Sequence, residues 1–310
     1  MRRSLFIFLL LLYNHLLFCQ KTSSRPWINS SEDTEWVRNE EFESKGKGIG
    51  KVITMPEASG IAPSYSNADC IWAHNDSGDK SWIKLIDTKD ASIKSILHLN
   101  TIKNIDWEDI ECIKDQDTQR SYIYLADIGD NAGKRDFVTI YILIDEMMPF
   151  QKFLDANIQQ TIHFTYPKKP RDAEAILVDP LTNDIFIVSK REKFVGLYSI
   201  KYPYKTEGID TAKHIGTFPF NQVTAGSISP DGMEILIRSY GRIFYWKRKE
   251  GESIPETLKR NPQLAPYYPI EPQGEAICWD ILNKGYYTLS EKRRKQMPDP
   301  TLFFYKRKLR

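Results

Sequence analysis

Glu57-Ala-Ser-Gly-Ile-Ala62, Glu108-Asp-Ile-Glu-Cys-Ile113, Glu174-Ala-Ile-Leu-Val178, Thr224-Ala-Gly-Ser-Ile228 and Glu275-Ala-Ile-Cys-Trp279 are five variants of one short phrase. Four open on a glutamate and the fourth in chain order opens on a threonine; small or apolar residues follow in each. Their starts lie 51, 66, 50 and 51 residues apart, and the long interval contains an insert-like stretch from Asp145 to Gln160. Self-similarity at a fixed period is the signature of a repeat architecture. Behind each phrase comes a turn, such as Pro230-Asp-Gly232, and then a strongly β run, such as Tyr122-Ile-Tyr-Leu125 or Ile185-Phe-Ile-Val188. A polar loop, a third run and, in most units, a weaker fourth run complete the unit.

Four strands in roughly 50 residues is the arithmetic of a propeller blade. Five units fit between Glu57 and Arg310, and the fifth ends after three strands. The segment Gly48 to Met55 precedes the first unit and supplies the missing strand. Pairing it with the last unit closes the ring and removes two open edges. The expectation is an all-β, five-bladed propeller, with six blades as the alternative. A pair of β-sandwiches would leave the recurrence unexplained. The propeller is expected over residues 46–310, preceded by a polar leader over 20–45 and a signal peptide over 1–19.

The signal reading rests on Arg2 and Arg3, the apolar run Leu5 to Leu12 and its extension through Leu16 to Phe18. It implies a secreted, cell-surface or periplasmic protein, with Cys19 either at the cleavage point or lipidated. No later segment is apolar enough to span a bilayer, so no transmembrane domain is expected after cleavage. Export permits disulfides. The three remaining cysteines, Cys70, Cys112 and Cys278, sit in β-rich apolar sequence without metal or redox spacing and read as buried thiols. With 310 residues, 41% hydrophobic and 27% charged, the chain is globular in composition. Lys plus Arg is 43 and Asp plus Glu is 41, a balance that argues against a dedicated nucleic-acid binder.

In a blade, the start of the inner strand and the loop between strands two and three open on one face. The starts carry Glu57, Asp106, Glu108, Asp109, Asp172, Glu174, Gln273 and Glu275. The loops carry His74 to Asp79, Asp127 to Asn131, Ser189 to Glu192, Arg238 to Tyr240 and Ser290 to Arg293. Five blades aim these groups at one channel mouth. Units one and two offer oxygen ligands of the kind Ca²⁺ or Mg²⁺ requires, with Glu57, Asn75, Asp127, Glu174 and Glu275 as candidate metal ligands. Units three to five offer Lys190, Arg191, Arg238, Lys292 and Arg293 as candidate contacts for an anionic ligand. His74 and Glu108 are the candidates for proton transfer if chemistry occurs. Each has a structural alternative: strand-end Asp and Asn residues make turns, and His74 fits a hydrogen-bonded buried site. Trp72, Trp107 and Tyr240 are the aromatics to weigh as a binding patch against packing between blades. No esterase elbow, phosphate loop or dinucleotide glycine motif is present.

With Glu57-Ala-Ser-Gly-Ile-Ala62, His74-Asn-Asp-Ser-Gly78, Asp106-Trp-Glu-Asp-Ile110, Asp127-Ile-Gly-Asp-Asn131 and Asp172-Ala-Glu-Ala175 in view, the chain resembles an exported, largely uncharacterised propeller family. It is similar, more distantly, to calcium-dependent propellers of the phytase-like and gluconolactonase-like groups. The resemblance spans roughly Gly46 to Arg310 and implies a metal held by Glu, Asn and Asp from inner strands, with Glu57, Asn75 and Asp127 as counterparts. Thr224 breaks the acidic pattern and with it a symmetric metal ring. The expected function is an extracellular propeller that binds an anionic small molecule, glycan or protein at its mouth with a divalent cation. The alternatives are a metal-assisted hydrolase of phosphate esters or lactones and a structural member of an envelope or matrix assembly.

Overall fold

A computed structural model describes residues 26–27, 36–53, 55–150, 152–267, 271, 273–292 and 299–309. The signal segment, Cys19 and Arg293 lie outside the described residues. The repeat grammar becomes five antiparallel blades, as the spacing predicts. Blade one is built from Ala58–Pro63, Cys70–Asn75, Trp82–Asp87 and Ile93–His98. Blade two follows with Trp107–Lys114, Ser121–Asp127, Val138–Ile144 and Gln160–Thr165. Ala173–Val178, Ile185–Ser189, Gly196–Ile200 and Lys213–Thr217 make blade three. Val223–Ile228, Glu234–Ser239, Arg242–Lys247 and Gln263–Ala265 make blade four. Blade five takes Gly274–Trp279, Gly285–Ser290 and Thr301–Lys306 from the C-terminal end and Lys47–Lys51 from the N-terminal end. Lys47 pairs with Phe304 and Lys51 with Thr301, the expected closure. Among the described residues no helix is long and apolar enough to cross a membrane.

The first strand of each blade lines the channel and packs against the first strands of both neighbours; Ala58–Pro63 against Gly274–Trp279 completes the circle. The core is correspondingly divided into five apolar clusters, one at each junction between sheets. Alternating strand residues supply them, because successive side chains point to opposite faces of a sheet. Trp72 and Trp107 are fully buried in the junction of blades one and two, so packing is their role. Cys70, Cys112 and Cys278 are buried free thiols, as read.

Blades one to four have the outer edge covered, and in blade five the pairing of the closing strand is extended; neither was legible in the repeat. The insert after blade two's third strand sends Lys152–Asp155 back to pair in parallel with the outer strand of blade one. A loop of blade three sends Ile209–Thr211 back to blade two in the same way. The stretch expected as a leader before the fold supplies the rest. Trp27 N–H donates to Thr217 O on blade three at 2.9 Å. Asn39 N–H donates to Leu264 O, and Leu264 N–H to Val37 O, on blade four. Glu43 N–H donates to Lys306 O, and Lys308 N–H to Glu41 O, on blade five. Phe42 is fully buried there among Tyr245, Trp279 and Tyr286. The propeller therefore begins before Gly46: residues 36–45 form part of its rim. Unpaired strand edges invite association with other chains, and this belt occupies those of blades one to four.

Candidate functional site

One irregularity recurs in all five inner strands. The pairing with strand two slips between Ala58 and Gly60, Trp107 and Asp109, Ala173 and Ala175, Val223 and Ala225, and Gly274 and Ala276. The residue left over is Ser59, Glu108, Glu174, Thr224 or Glu275. A bulge inserts one unpaired residue and re-aims its side chain, and here it does so five times around one axis. The register corrects the sequence alignment: Ser59, and not Glu57, is the counterpart of the other glutamates. Glu57 lies two residues earlier, although it too lines the mouth. Aligning on the isoleucines Ile61, Ile110, Ile176 and Ile277 would have found the register.

The two hydroxyls and the three carboxylates of this ring do different work. Ser59 Oγ donates to Glu108 O at 2.7 Å, and Thr224 Oγ1 donates to Gly274 O at 2.9 Å, so each ties its blade to the next. Glu108, Glu174 and Glu275 border a cavity of about 220 Å³ at the mouth, together with Asp76, Lys190 and Arg191. Lys190 Nζ pairs with Glu174 Oε2 and lies 5.0 Å from the centre of the Tyr240 ring. Burial works against the charge of Lys190, but Glu174 and Glu275 outweigh it and hold the ammonium above its ordinary range. Arg191 Nε pairs with Asp172, and its Nη2 reaches Asn131 Oδ1. Gln273 Nε2 donates to Glu275 Oε1 at 3.0 Å and also to Glu291.

Glu108 has no such partner. It is 4% exposed, and among the described residues its carboxylate receives no hydrogen bond and no ion pair. Its oxygens belong to two acidic triads at once. Asp76, Asp106 and Glu108 each place an oxygen within 4.8 Å of the others, and so do Glu108, Asp172 and Glu174. Gly129 allows this approach, because a Cβ there would sit 2.3 Å from Glu108 Oε1 and 2.5 Å from Asp106 Oδ2. Burial, then Glu174, Asp76 and Asp106, push the Glu108 carboxyl well above the usual range. Burial, reinforced by Asp76, pushes Asp106 up to about 6. Burial and Glu275 push Glu291 up to about 7. Carboxyls crowded in this way either hold protons or require a cation. An all-oxygen donor set of this kind fits Ca²⁺ or Mg²⁺.

The other candidates fall elsewhere. Asp127 is fully buried beneath the mouth, where Arg135 Nη1 pairs with it at 2.7 Å. Asn75 is buried and donates from Nδ2 to Asp79 Oδ2 at 2.6 Å. His74 is fully buried against Trp107 with its Nδ1 on Asn75 O, and burial lowers its pKa to about 4. It is a neutral packing residue. Arg238 is buried on Glu271 and Ala276 O. Lys292 pairs with Asp299 at 3.3 Å. Of the described bases, only Lys190 and Arg191 border the cavity, and both are already engaged by carboxylates. Sequence reasoning placed Asp76, Asp106 and Asp172 at the mouth without naming them as ligands; the structure joins them to Glu108.

No family model matches the chain, and no curated protein does. The expected likeness to calcium-dependent propellers gains no support from these comparisons. Two of the solved structures that align with the chain do so at low identity. One, described as the structure of U3-55K, is 11% identical with a TM-score of 0.36, over 80% of this chain and 67% of that one. Another, a nidogen–laminin complex, is 9% identical with a TM-score of 0.41, over 75% of this chain and 72% of that one. The class defined by fold and site is a five-bladed propeller with a polar, carboxylate-rich mouth.

Proposed function

We propose that the protein is an extracellular binding propeller that holds a divalent cation, Ca²⁺ or Mg²⁺, at Asp76, Asp106 and Glu108 and engages an anionic ligand beside it. The observation that carries the reading is Glu108: a carboxylate 4% exposed, without a partner among the described residues, held against two further acids. Arg191 has five N–H donors, and the bonds to Asp172 and Asn131 leave others for a ligand oxygen. A fold of this class hosts many functions, so the claim rests on the site alone.

The test is calorimetric titration of chelator-treated protein with Ca²⁺ and with Mg²⁺. Binding that is lost in Glu108→Gln and Asp106→Asn, and kept in Asp155→Asn on the outer rim, is the expected result. No heat from either ion, with melting unchanged in chelator, refutes it. A second reading, metal-assisted hydrolysis of phosphate esters or lactones, draws on Glu291, which borders the same cavity and is not a ligand of the proposed ion. Burial and Glu275 push its carboxyl up to about 7, suited to take a proton from attacking water near neutral pH. A panel of both substrate classes, tested with the ion bound, decides it; no turnover leaves the binding reading alone.

A further inference from the structure

Glu108 stands between two acidic triads of the same size, and they are treated differently. On one side, Asp172 and Glu174 are met by the positive charges of Arg191 and Lys190. On the other, Asp76 and Asp106 bond to Ser77 and form no ion pair among the described residues, Lys190 and Arg135 acting on them only from a distance. Both triads include the same nine-tenths-buried, unpartnered carboxylate, which borders the cavity. We infer that the mouth contains two adjacent cation positions sharing Glu108 as the bridging ligand, and that Lys190 and Arg191 fill the second as built-in cations, limiting the protein to one bound divalent ion.

The inference rests on the proposed cation at the first triad and adds what sets its number. Lys190 is well placed for this role. Its ammonium pairs with Glu174 inside the cavity that Glu275 also borders. Arg191 is anchored at two points, Asp172 and Asn131, so its charge stays beside the triad. A compact cation at the end of a flexible stem can stand where an ion would otherwise be required. Two divalent ions about 3.5–4 Å apart are a familiar arrangement around bridging carboxylates, and the shared Glu108 supplies the bridge.

The experiment is Ca²⁺ titration by calorimetry of the whole chain, in wild type and in Lys190→Gln/Arg191→Gln. Wild type is expected to take one ion and the double variant two. In the double variant, Asp106→Asn should remove one ion, and Glu108→Gln should remove both together. Thermal melting in chelator and in Ca²⁺ checks folding: the variant should melt lower than wild type without the ion and recover with it. If the double variant does not fold, Arg191→Gln alone, at a half-exposed side chain, should show a second, weaker binding step. A wild-type stoichiometry of one that stays at one in the folded variants overturns this inference and leaves the first-site reading standing. Two ions in wild type also overturn it. No ion in wild type overturns the first-site reading and this inference with it.

Discussion

Glu111 lies on the inner strand of blade two, three residues below Glu108, and its titration should govern how stability falls in alkaline solution. The side chain is 1% exposed, and Oε1 has no hydrogen-bond partner among the described residues. Burial pushes its carboxyl well above the ordinary range; Asp109 adds to this, and the bonds from Ser227 and Ile228 oppose it. The folded protein therefore keeps a proton that the unfolded chain releases near pH 4.5. A raised carboxyl gives stability that is fully present below the unfolded pKa and is lost as pH rises through the folded one. While the native state still holds the proton, each pH unit removes about 1.4 kcal/mol. Between pH 6.5 and pH 8 the loss from this one group reaches at most about 2 kcal/mol, the full amount if the proton is held throughout. The window starts at 6.5 because the oppositely directed effect of His74 ends there. Glu291, pushed up to about 7 and half-exposed, and the mouth glutamates change in the same direction as Glu111, so the comparison needed is between proteins. Urea unfolding of wild type and Glu111→Gln, in chelator at pH 6.5, 7.25 and 8, isolates the term. The margin of the glutamine variant over wild type should widen by up to about 2 kcal/mol between pH 6.5 and pH 8. Equal slopes in the two proteins would refute a buried neutral acid at this position.

Gly129→Ala should place a methyl group 2.3 Å from Glu108 Oε1 and push the two carboxylates apart; Ca²⁺ affinity should then fall at least about tenfold, or about 1.4 kcal/mol, in a calorimetric titration, whereas unchanged affinity would detach the ion from this cleft. Phe42→Ala should cost about 3–5 kcal/mol in denaturant unfolding, because a fully buried ring is removed from a cluster of aromatics; a loss below about 1 kcal/mol would mean that residues 36–45 only rest on the propeller. His74 is held neutral by burial, with its pKa lowered to about 4, so its contribution is lost as pH falls from 6.5 towards 4, by about 3 kcal/mol in all. His74→Gln should flatten the acid limb of the stability profile relative to wild type, and parallel limbs would contradict the assignment.

The blades were legible because each is written in the chain as contiguous strands with turns between them, and because burial on both faces demands apolar residues at regular intervals. The rim was not. Residues 36–45 attach through backbone groups on strand edges, and only scattered side chains such as Asn39 and Phe42 are buried, so no periodicity marks them. The mouth was legible as a region, and Glu108, Glu174 and Glu275 were found by recurrence. Of the other candidate ligands, Asn75 is bonded to Asp79 and Asp127 to Arg135, while Asp76, one position on from Asn75, and Asp106 complete a triad with Glu108. A one-residue slip moves a side chain to the opposite face. The bulge supplies such a slip at the start of every inner strand, so counting along the strand fails where the chemistry lies.

The belt around the blades also bears on how the ring assembles. Arg307 pairs with Glu41 across 266 residues of sequence, and Lys47–Lys51 joins a sheet whose other strands are the last in the chain. Contacts of that separation form late, since loop-closure entropy must be met before they are rewarded. During synthesis, the first four blades emerge while the fifth still lacks its inner strands, and the edge of Lys47–Lys51 waits unpaired. The stages at which a nascent chain most needs a chaperone therefore fall after blade four and before Thr301–Lys306 clears the ribosome. A chain stalled in that interval would expose the flank of blade one that Gly274–Trp279 otherwise covers.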